Sequence, residues 1–181
     1  MPDEPSDIPT PRMLAWAKNS TLYRLGRQML TEKQLSDAIR RKARQKFEGI
    51  SEAQVRACAE FAVKFAYDVG GLDDTSYAEV ATRSSMRSGR SKRAIAQRLS
   101  VKGIARETVA SALEDADDLY AAVVMARKRG FGPFRKVDLD EKRMAREFSA
   151  FARGGFGYDL ARKIFDMTRD DAEEILFTRR V

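Results

Sequence analysis

The residues best suited to chemistry in this sequence form a run of cations without acidic neighbours. Seven basic side chains lie between positions 83 and 102 with no Asp or Glu among them, and they equal the formal net charge of +7 of the 181-residue chain. Guanidinium groups donate paired hydrogen bonds to phosphate or carboxylate oxygens, so the run predicts a site for a macromolecular anion. A solvated helix face that only confers solubility is the alternative. The predicted binding residues are Arg83, Arg87, Arg90, Lys92, Arg93, Arg98 and Lys102.

Two smaller basic clusters accompany this run, one before it and one after it. Each of these clusters alone is interpreted as solvated surface, because long basic side chains are common on exposed helices. Phe131 and Phe134, within the second cluster, could stack on bases or fill a joint between helices. The clusters consist of Arg40, Arg41, Lys42, Arg44 and Lys46, and of Arg127, Lys128, Arg129, Arg135 and Lys136.

The rest of the composition argues against catalysis. The chain has no histidine and one cysteine, Cys58, which excludes a zinc finger, a Ser-His-Asp triad and a Cys-His dyad. A lone cysteine among apolar neighbours is typical of a buried thiol. Acidic residues fall in predicted turns, where they cap helices, so we expect no catalytic residue, metal site or cofactor. An enzyme that uses only carboxylates and lysines stays chemically open.

Helices must position these cations, because apolar residues recur at intervals of three and four and strand signals are nearly absent. A first helix is predicted over 12–30. Thr31 with Gln34, and Ser51 with Gln54, have the spacing of capping boxes, in which each side chain satisfies a backbone N–H at a helix start. These boxes predict the beginnings of the second and third helices.

The basic run is predicted to cover two helices. Arg83, Arg87 and Arg90 have the i, i+4, i+7 spacing of a single helical face, and Arg98 with Lys102 repeats the first interval on the next helix. The two faces are expected to form one positive surface.

Internal similarity organises the chain at a period near 50 residues. The segment 99–104 resembles 151–156, and 43–50 with two extra residues, while Asp73-Asp74 is echoed by Asp117-Asp118. The repetition predicts an all-α fold, an elongated tandem array of three helix-turn-helix-like units of three helices each. The expected divisions are a flexible tail at 1–11 and repeats at 12–72, 73–116 and 117–181, the last with a short extra helix.

The middle repeat resembles the RecX family of recombination regulators. The resemblance rests on Gly71-Leu-Asp-Asp-Thr-Ser-Tyr-Ala78, then Arg83, Gly89-Arg90, and the segment 93–104, Arg-Ala-Ile-Ala-Gln-Arg-Leu-Ser-Val-Lys-Gly-Ile. It extends over about residues 12–167 and is strongest in this repeat. What it implies is a set of three-helix repeats lying in the helical groove of a RecA filament on single-stranded DNA.

The function implied by this resemblance is non-enzymatic inhibition of the ATPase, strand-exchange and coprotease activities of RecA, which would modulate recombination, DNA repair and the SOS response. Single-stranded DNA would be contacted weakly or through the filament. A helix-turn-helix-like protein that binds DNA or RNA directly is the alternative. The chain lacks a long apolar run and a signal-peptide pattern, so a cytoplasmic monomer without membrane contact is expected.

Overall fold

Every regular element of the computed structural model, which describes residues 7–178, is a helix. The all-α prediction is therefore confirmed, and the helices follow the predicted order of triplets, α1–α3, α4–α6 and α7–α9, before a final α10. No helix in 7–178 has the length and apolar content to cross a bilayer. The elements are α1 Pro11–Leu25, α2 Glu32–Lys46, α3 Glu52–Asp68, α4 Asp74–Arg87, α5 Lys92–Val101, α6 Arg106–Ala112, α7 Asp118–Arg129, a 3-10 turn Gly132–Phe134, α8 Glu141–Arg153, α9 Tyr158–Asp166 and α10 Arg169–Thr178.

Both predicted capping boxes are present. The Thr31 hydroxyl accepts a hydrogen bond from the Gln34 N–H at 3.2 Å, and the Gln34 side chain accepts from the Thr31 N–H at 3.1 Å. The first helix, in contrast, ends at Leu25 instead of residue 30. Gly26 follows it, and glycine is among the weakest helix formers. Of the predicted tail, residues 1–6 lie outside the described residues.

The chain forms two compact units. The first contains residues 7–77 together with Val101–Ala105, and the second contains Ala78–Ser100 together with residues 106–178. The three-repeat boundaries predicted from the sequence stay a prediction beside this division.

The core of the first unit lies between α1, α2 and α3. It is built from aliphatic residues of α2 and small residues of α3, including Leu35, Ile39 and the fully buried Cys58. The predicted buried thiol is thus confirmed, and burial raises the pKa of Cys58. Trp16 closes one end of this core with an edge-on contact to Phe47, at 5.4 Å between ring centroids.

The core of the second unit surrounds α7. Six consecutive residues of this helix, Ala121 to Ala126, are buried, which is the pattern of a helix covered on all sides. Ile95 and Leu99 of α5 and Phe151 of α8 are also buried. The apolar residues that flank the cations of α5 therefore anchor that helix in a core.

The first unit contains a clasp around the N-terminus of α2. The Thr31 hydroxyl donates to the Lys102 carbonyl at 2.7 Å, and the Glu32 N–H donates to an Asp74 carboxylate oxygen at 3.1 Å. Partial burial raises the pKa of Asp74, although the hydrogen bond from Glu32 opposes this shift. Gly103 has a φ of 84°, and a Cβ there would lie 2.5 Å from the Cβ of Lys33.

The second unit repeats this clasp around the N-terminus of α5. The Ser91 hydroxyl donates to the Gly154 carbonyl at 2.7 Å, and the Lys92 N–H donates to an Asp118 carboxylate oxygen at 2.6 Å. Gly155 also has a φ of 84°, and a Cβ there would lie 2.5 Å from the Ser91 Oγ. The two repeated motifs therefore have the same structural role in both units. The doubled-aspartate motif supplies a carboxylate, and the second motif supplies a glycine turn, and together they hold the start of a helix.

A buried ion pair fixes the turn between α7 and α8. Arg135 donates two hydrogen bonds to Glu147, at 2.8 and 2.7 Å, and the Gly132 N–H donates to the same carboxylate at 3.0 Å. Glu147 is 1% exposed. Burial raises the pKa of Glu147, but the hydrogen bonds from Arg135 and Gly132 outweigh it, and the pKa lies below its usual range. No motif in the sequence indicates this pair in advance.

Candidate interaction site

The seven predicted binding residues are divided between the two units. Six of them lie in the second unit, and Lys102 lies in the first. The prediction that Lys102 continues the helical face of Arg98 is wrong, because α5 ends at Val101 and the chain turns through Gly103. The Lys102 ammonium lies 5.2 Å from the centre of the Tyr77 ring, within the range of a cation–π contact.

The predicted face of Arg83, Arg87 and Arg90 is also wrong in its last member. Helix α4 ends at Arg87, and the chain turns through Gly89, whose φ is 79°. Arg90 therefore leaves the helix axis and lies on the turn between α4 and α5. Arg83 and Arg87 remain four residues apart on α4, where both are exposed.

Arg83 and Arg87 line a cleft of about 590 Å³ that also contains acidic side chains. Its walls come from α4, from the segment after α6 and from the start of α7. Arg83 pairs with Glu79 at 3.6 Å, and both side chains are more than half exposed. The two cations of this compensated cleft are thus outnumbered by four carboxylates, those of Glu79, Glu114, Asp115 and Asp117.

Arg90 lies in a different groove, of about 440 Å³, whose charged lining is entirely basic. The other cations come from the last turns of two helices, with Lys128 and Arg129 on α7 and Arg153 on α8. Within residues 7–178, no carboxylate forms an ion pair with any of these four side chains. We call this site the basic groove.

Two close approaches build the basic groove. A Cβ on Gly89 would lie 2.9 Å from the Met125 nitrogen, so only glycine allows the α4–α5 turn to pack this tightly on α7. The hydrogen bond from Ser91 to the Gly154 carbonyl holds the end of α8 beside the same turn. Together these contacts bring Arg90 next to cations that are distant in sequence.

The remaining predicted cations lie on α5. The Lys92 N–H is held by Asp118, while Arg93 and Arg98 are exposed. None of the three lines the basic groove. Arg93 and Arg98 extend the positive surface of the second unit, whereas Lys92 lines a further cavity with the carboxylates of Glu114, Asp115, Asp117 and Asp118.

The smaller basic clusters have separate roles in the structure. Lys128 and Arg129, interpreted as solvated surface from the sequence alone, contribute half of the cations of the basic groove. Arg135 from the same cluster is instead paired internally with Glu147. In the first unit, Arg44 pairs with Glu52 at 2.7 Å on an exposed surface. Groove cations, internally paired cations and exposed pairs can be distinguished only in the three-dimensional structure.

The described residues contain no evident metal site. Between residues 7 and 178, no group of three or more Cys, Asp or Glu side chains is arranged to hold a metal ion. The organised polar features there are the clasps, the Arg135–Glu147 pair and the two cavities.

Comparison with known proteins gives a consistent family. The sequence model described as the second three-helix domain of RecX matches residues 73–113. The chain is 61% identical to "Regulatory protein RecX" of Agrobacterium fabrum over 93% of its own length and 91% of that protein. It is 35% identical to the protein of the same name from Myxococcus xanthus, over 83% of this chain and 84% of that one.

A solved structure shows the same fold. The crystal structure of RecX from Lactobacillus salivarius aligns with a TM-score of 0.64 over 91% of this chain and 99% of that one. The two sequences are 21% identical, so this likeness supports the fold of three-helix repeats alone. Because the identity to the Agrobacterium protein is high and extends over nearly the whole chain, this protein belongs to the RecX family of regulatory proteins.

Proposed function

We propose that this protein binds the RecA filament on single-stranded DNA and inhibits its ATPase, strand-exchange and coprotease activities. The observation that carries the proposal is the 61% identity to a RecX regulatory protein over 93% of the chain. A regulator of this kind acts by binding and needs no catalytic group. It would thereby modulate recombination, DNA repair and the SOS response.

The exposed cations of the second unit support this proposal physically. A RecA filament on DNA presents both phosphates and acidic side chains, and guanidinium groups recognise the oxygens of either. The proposed filament contacts are the basic residues between positions 83 and 102, six in the second unit and Lys102 in the first. They are Arg83, Arg87, Arg90, Lys92, Arg93, Arg98 and Lys102.

The same proposal includes the setting of the activity. The protein acts as a monomer in the cytoplasm, with repeats at 12–72, 73–116 and 117–181. It contacts single-stranded DNA weakly or through the filament, and it requires neither membrane nor cofactor.

The direct test is the single-stranded-DNA-dependent ATPase rate of the cognate RecA while this protein is titrated in. Inhibition is expected well below one copy per recombinase monomer, because a filament binder acts on many subunits at once. An unchanged rate near equimolar protein would contradict the proposal and favour direct nucleic-acid binding as the principal role.

The contact residues have their own test. Replacing Arg87, Arg90, Arg98 and Lys102 by alanine should weaken inhibition while leaving the helical circular-dichroism signal intact. A matched variant removes the same number of exposed charges from other helices, through Arg41→Ala, Lys42→Ala, Lys64→Ala and Arg146→Ala. Equal weakening by both variants would show that net charge alone matters and would remove the site assignment.

A further inference from the structure

We infer that the basic groove is a binding site for the phosphodiester backbone of nucleic acid, used without the recombinase. The groove brings Arg90 together with Lys128, Arg129 and Arg153 in about 440 Å³. The inference rests on the proposed weak contact with single-stranded DNA and deepens it, because it assigns this contact to a defined set of side chains and needs no RecA.

The charges of the basic groove favour an anionic ligand. Four cations converge on one concave surface, and no carboxylate in residues 7–178 is paired with them. Like charges held close together repel, so the arrangement favours a ligand that carries several negative charges. The compensated cleft in the same unit lacks this property, because carboxylates share its walls with Arg83 and Arg87.

A structural role accounts for only part of the cluster. Cations near helix C-termini complement the helix dipole, and the Lys128 ammonium donates to the Arg87 carbonyl at the end of α4 at 3.4 Å. Arg90, Arg129 and Arg153 make no such side-chain hydrogen bond to the described part of the chain. Their guanidinium donors are therefore available to a ligand.

The shape and apolar lining favour a nucleic-acid backbone over an acidic peptide. A docked peptide is usually anchored by large apolar side chains in pockets. The uncharged floor of this groove is formed largely by Gly89, Ala94, Ala150 and Gly154, which are too small to form an apolar pocket, and by the buried Met125. A phosphodiester strand needs no apolar anchor, because its affinity comes mainly from neutralised phosphates.

The absence of aromatic residues from the groove lining restricts the mode of binding further. Proteins that read single-stranded bases stack them on aromatic side chains. The residues that line this groove include none. Binding should therefore be independent of base sequence, and single-stranded and duplex oligonucleotides of equal length should both bind.

The experiment is fluorescence anisotropy of labelled oligothymidylate and of a labelled duplex, with the full-length protein and no RecA. For the wild type, the logarithm of affinity for the single strand should fall with the logarithm of salt concentration between about 50 and about 200 mM, with a slope of about −3 if four phosphates are neutralised. The Arg90→Glu, Arg129→Glu variant should lose at least about tenfold in affinity and show a smaller slope.

A matched control separates the groove from net charge. The Arg41→Glu, Lys42→Glu variant makes the same change in net charge on exposed positions of α2, where neither side chain has an ion pair. It should lose less than about threefold, because distant surface charges are screened. Equal losses in the two variants, or no binding by the wild type at the lowest salt, would overturn the site.

A competitor identifies the class of ligand. Polyglutamate should displace the oligonucleotide much more weakly than unlabelled oligothymidylate of the same charge; equally strong displacement would mean that the groove accepts acidic protein, and would overturn the assignment to phosphodiesters. Failure of this inference would leave RecA inhibition unaffected, because no recombinase is present in the assay. Failure of filament regulation would likewise leave the oligonucleotide result standing.

Discussion

Arg87 and Arg90 are three residues apart in the sequence, yet they line two cavities of opposite character. Arg87 lies in the compensated cleft, where Glu79, Glu114 and Asp115 share the walls. Arg90 lies in the basic groove, where every charged lining residue is positive. The difference arises because α4 ends at Arg87 and the chain turns through Gly89. A uniform run of cations in a sequence can therefore divide between a cavity that carboxylates share and a cavity whose charged lining is entirely positive.

Arg135 is the cation whose charge is most completely compensated by a carboxylate. Its side chain is 14% exposed and is bonded to the Glu147 side chain, which is 1% exposed. This cation stabilises a turn and is unavailable to a partner. The three cations thus differ in their carboxylate neighbours: Arg135 is paired internally, Arg87 lies in a cleft that carboxylates share, and Arg90 lies in the basic groove. This order can be tested by replacing the carboxylates.

The largest effect is expected for Glu147→Gln. Removing this carboxylate leaves the Arg135 charge buried without compensation, which should lower the free energy of unfolding by about 3 kcal/mol. Urea denaturation followed by circular dichroism would measure it. Glu79→Gln is the matched control, since it breaks an exposed pair and should change stability little. Similar losses in the two variants would mean that burial does not distinguish them.

The same carboxylate predicts a pH dependence. Because the folded-state pKa of Glu147 lies below its usual range, its contribution to stability is present above the unfolded pKa of about 4.3 and is lost as pH falls through the lower folded value. The difference in unfolding free energy between wild type and Glu147→Gln should therefore shrink below about pH 4. A difference that stays constant from neutral to acidic pH would contradict the pairing.

A smaller effect is expected where the two cavities diverge, at Gly89. Alanine there combines an unfavourable positive φ with a Cβ 2.9 Å from the Met125 nitrogen, and should cost about 2 kcal/mol of stability. Gly49→Ala is the control, because Gly49 has a φ of 70° but no atom within 4 Å of the added Cβ. Its cost should be about 1 kcal/mol. Equal thermal-denaturation shifts would show that the close approach to α7 does not matter.

The smallest effect is expected when the compensated cleft is converted toward the basic groove. Glu114→Gln with Asp115→Asn leaves two carboxylates beside Arg83 and Arg87 instead of four. The loss of negative charge should raise affinity for oligothymidylate about twofold to threefold, a change typical of exposed charges. The control removes two acids that line neither cavity, through Asp159→Asn and Asp170→Asn. If both variants gain equally in the anisotropy assay, local compensation has no role.

Local features of the fold could be predicted from the sequence, whereas the groove could not. The capping boxes at Thr31 and Ser51 depend on residues three apart, and the turn glycines at 103 and 155 recur within similar segments. The predicted first helix is too long because the chain leaves the helix at Gly26. The predicted face of Arg90 is wrong because α4 ends at Arg87 and the turn at Gly89 precedes Arg90. A helix ends near such a glycine even where the spacing of the charged residues continues the helical period beyond it.

The non-local contacts explain what sequence reasoning missed. Arg90 meets Arg129 and Arg153 only through the packing of a glycine turn on α7 and the Ser91 clasp on α8. The Arg135–Glu147 pair likewise joins residues on either side of an irregular turn. Neither arrangement has a fixed spacing that could identify it in advance.

We propose that the principal partner of this protein is a recombinase filament and that direct contact with nucleic acid is secondary. The most direct test compares binding of the wild-type protein, by biolayer interferometry at physiological salt, to immobilised single-stranded DNA with and without a coating of the cognate RecA in its ATP-bound form. The account predicts markedly tighter binding to the coated DNA. Equal or weaker binding to the filament would contradict it and make nucleic acid itself the principal partner.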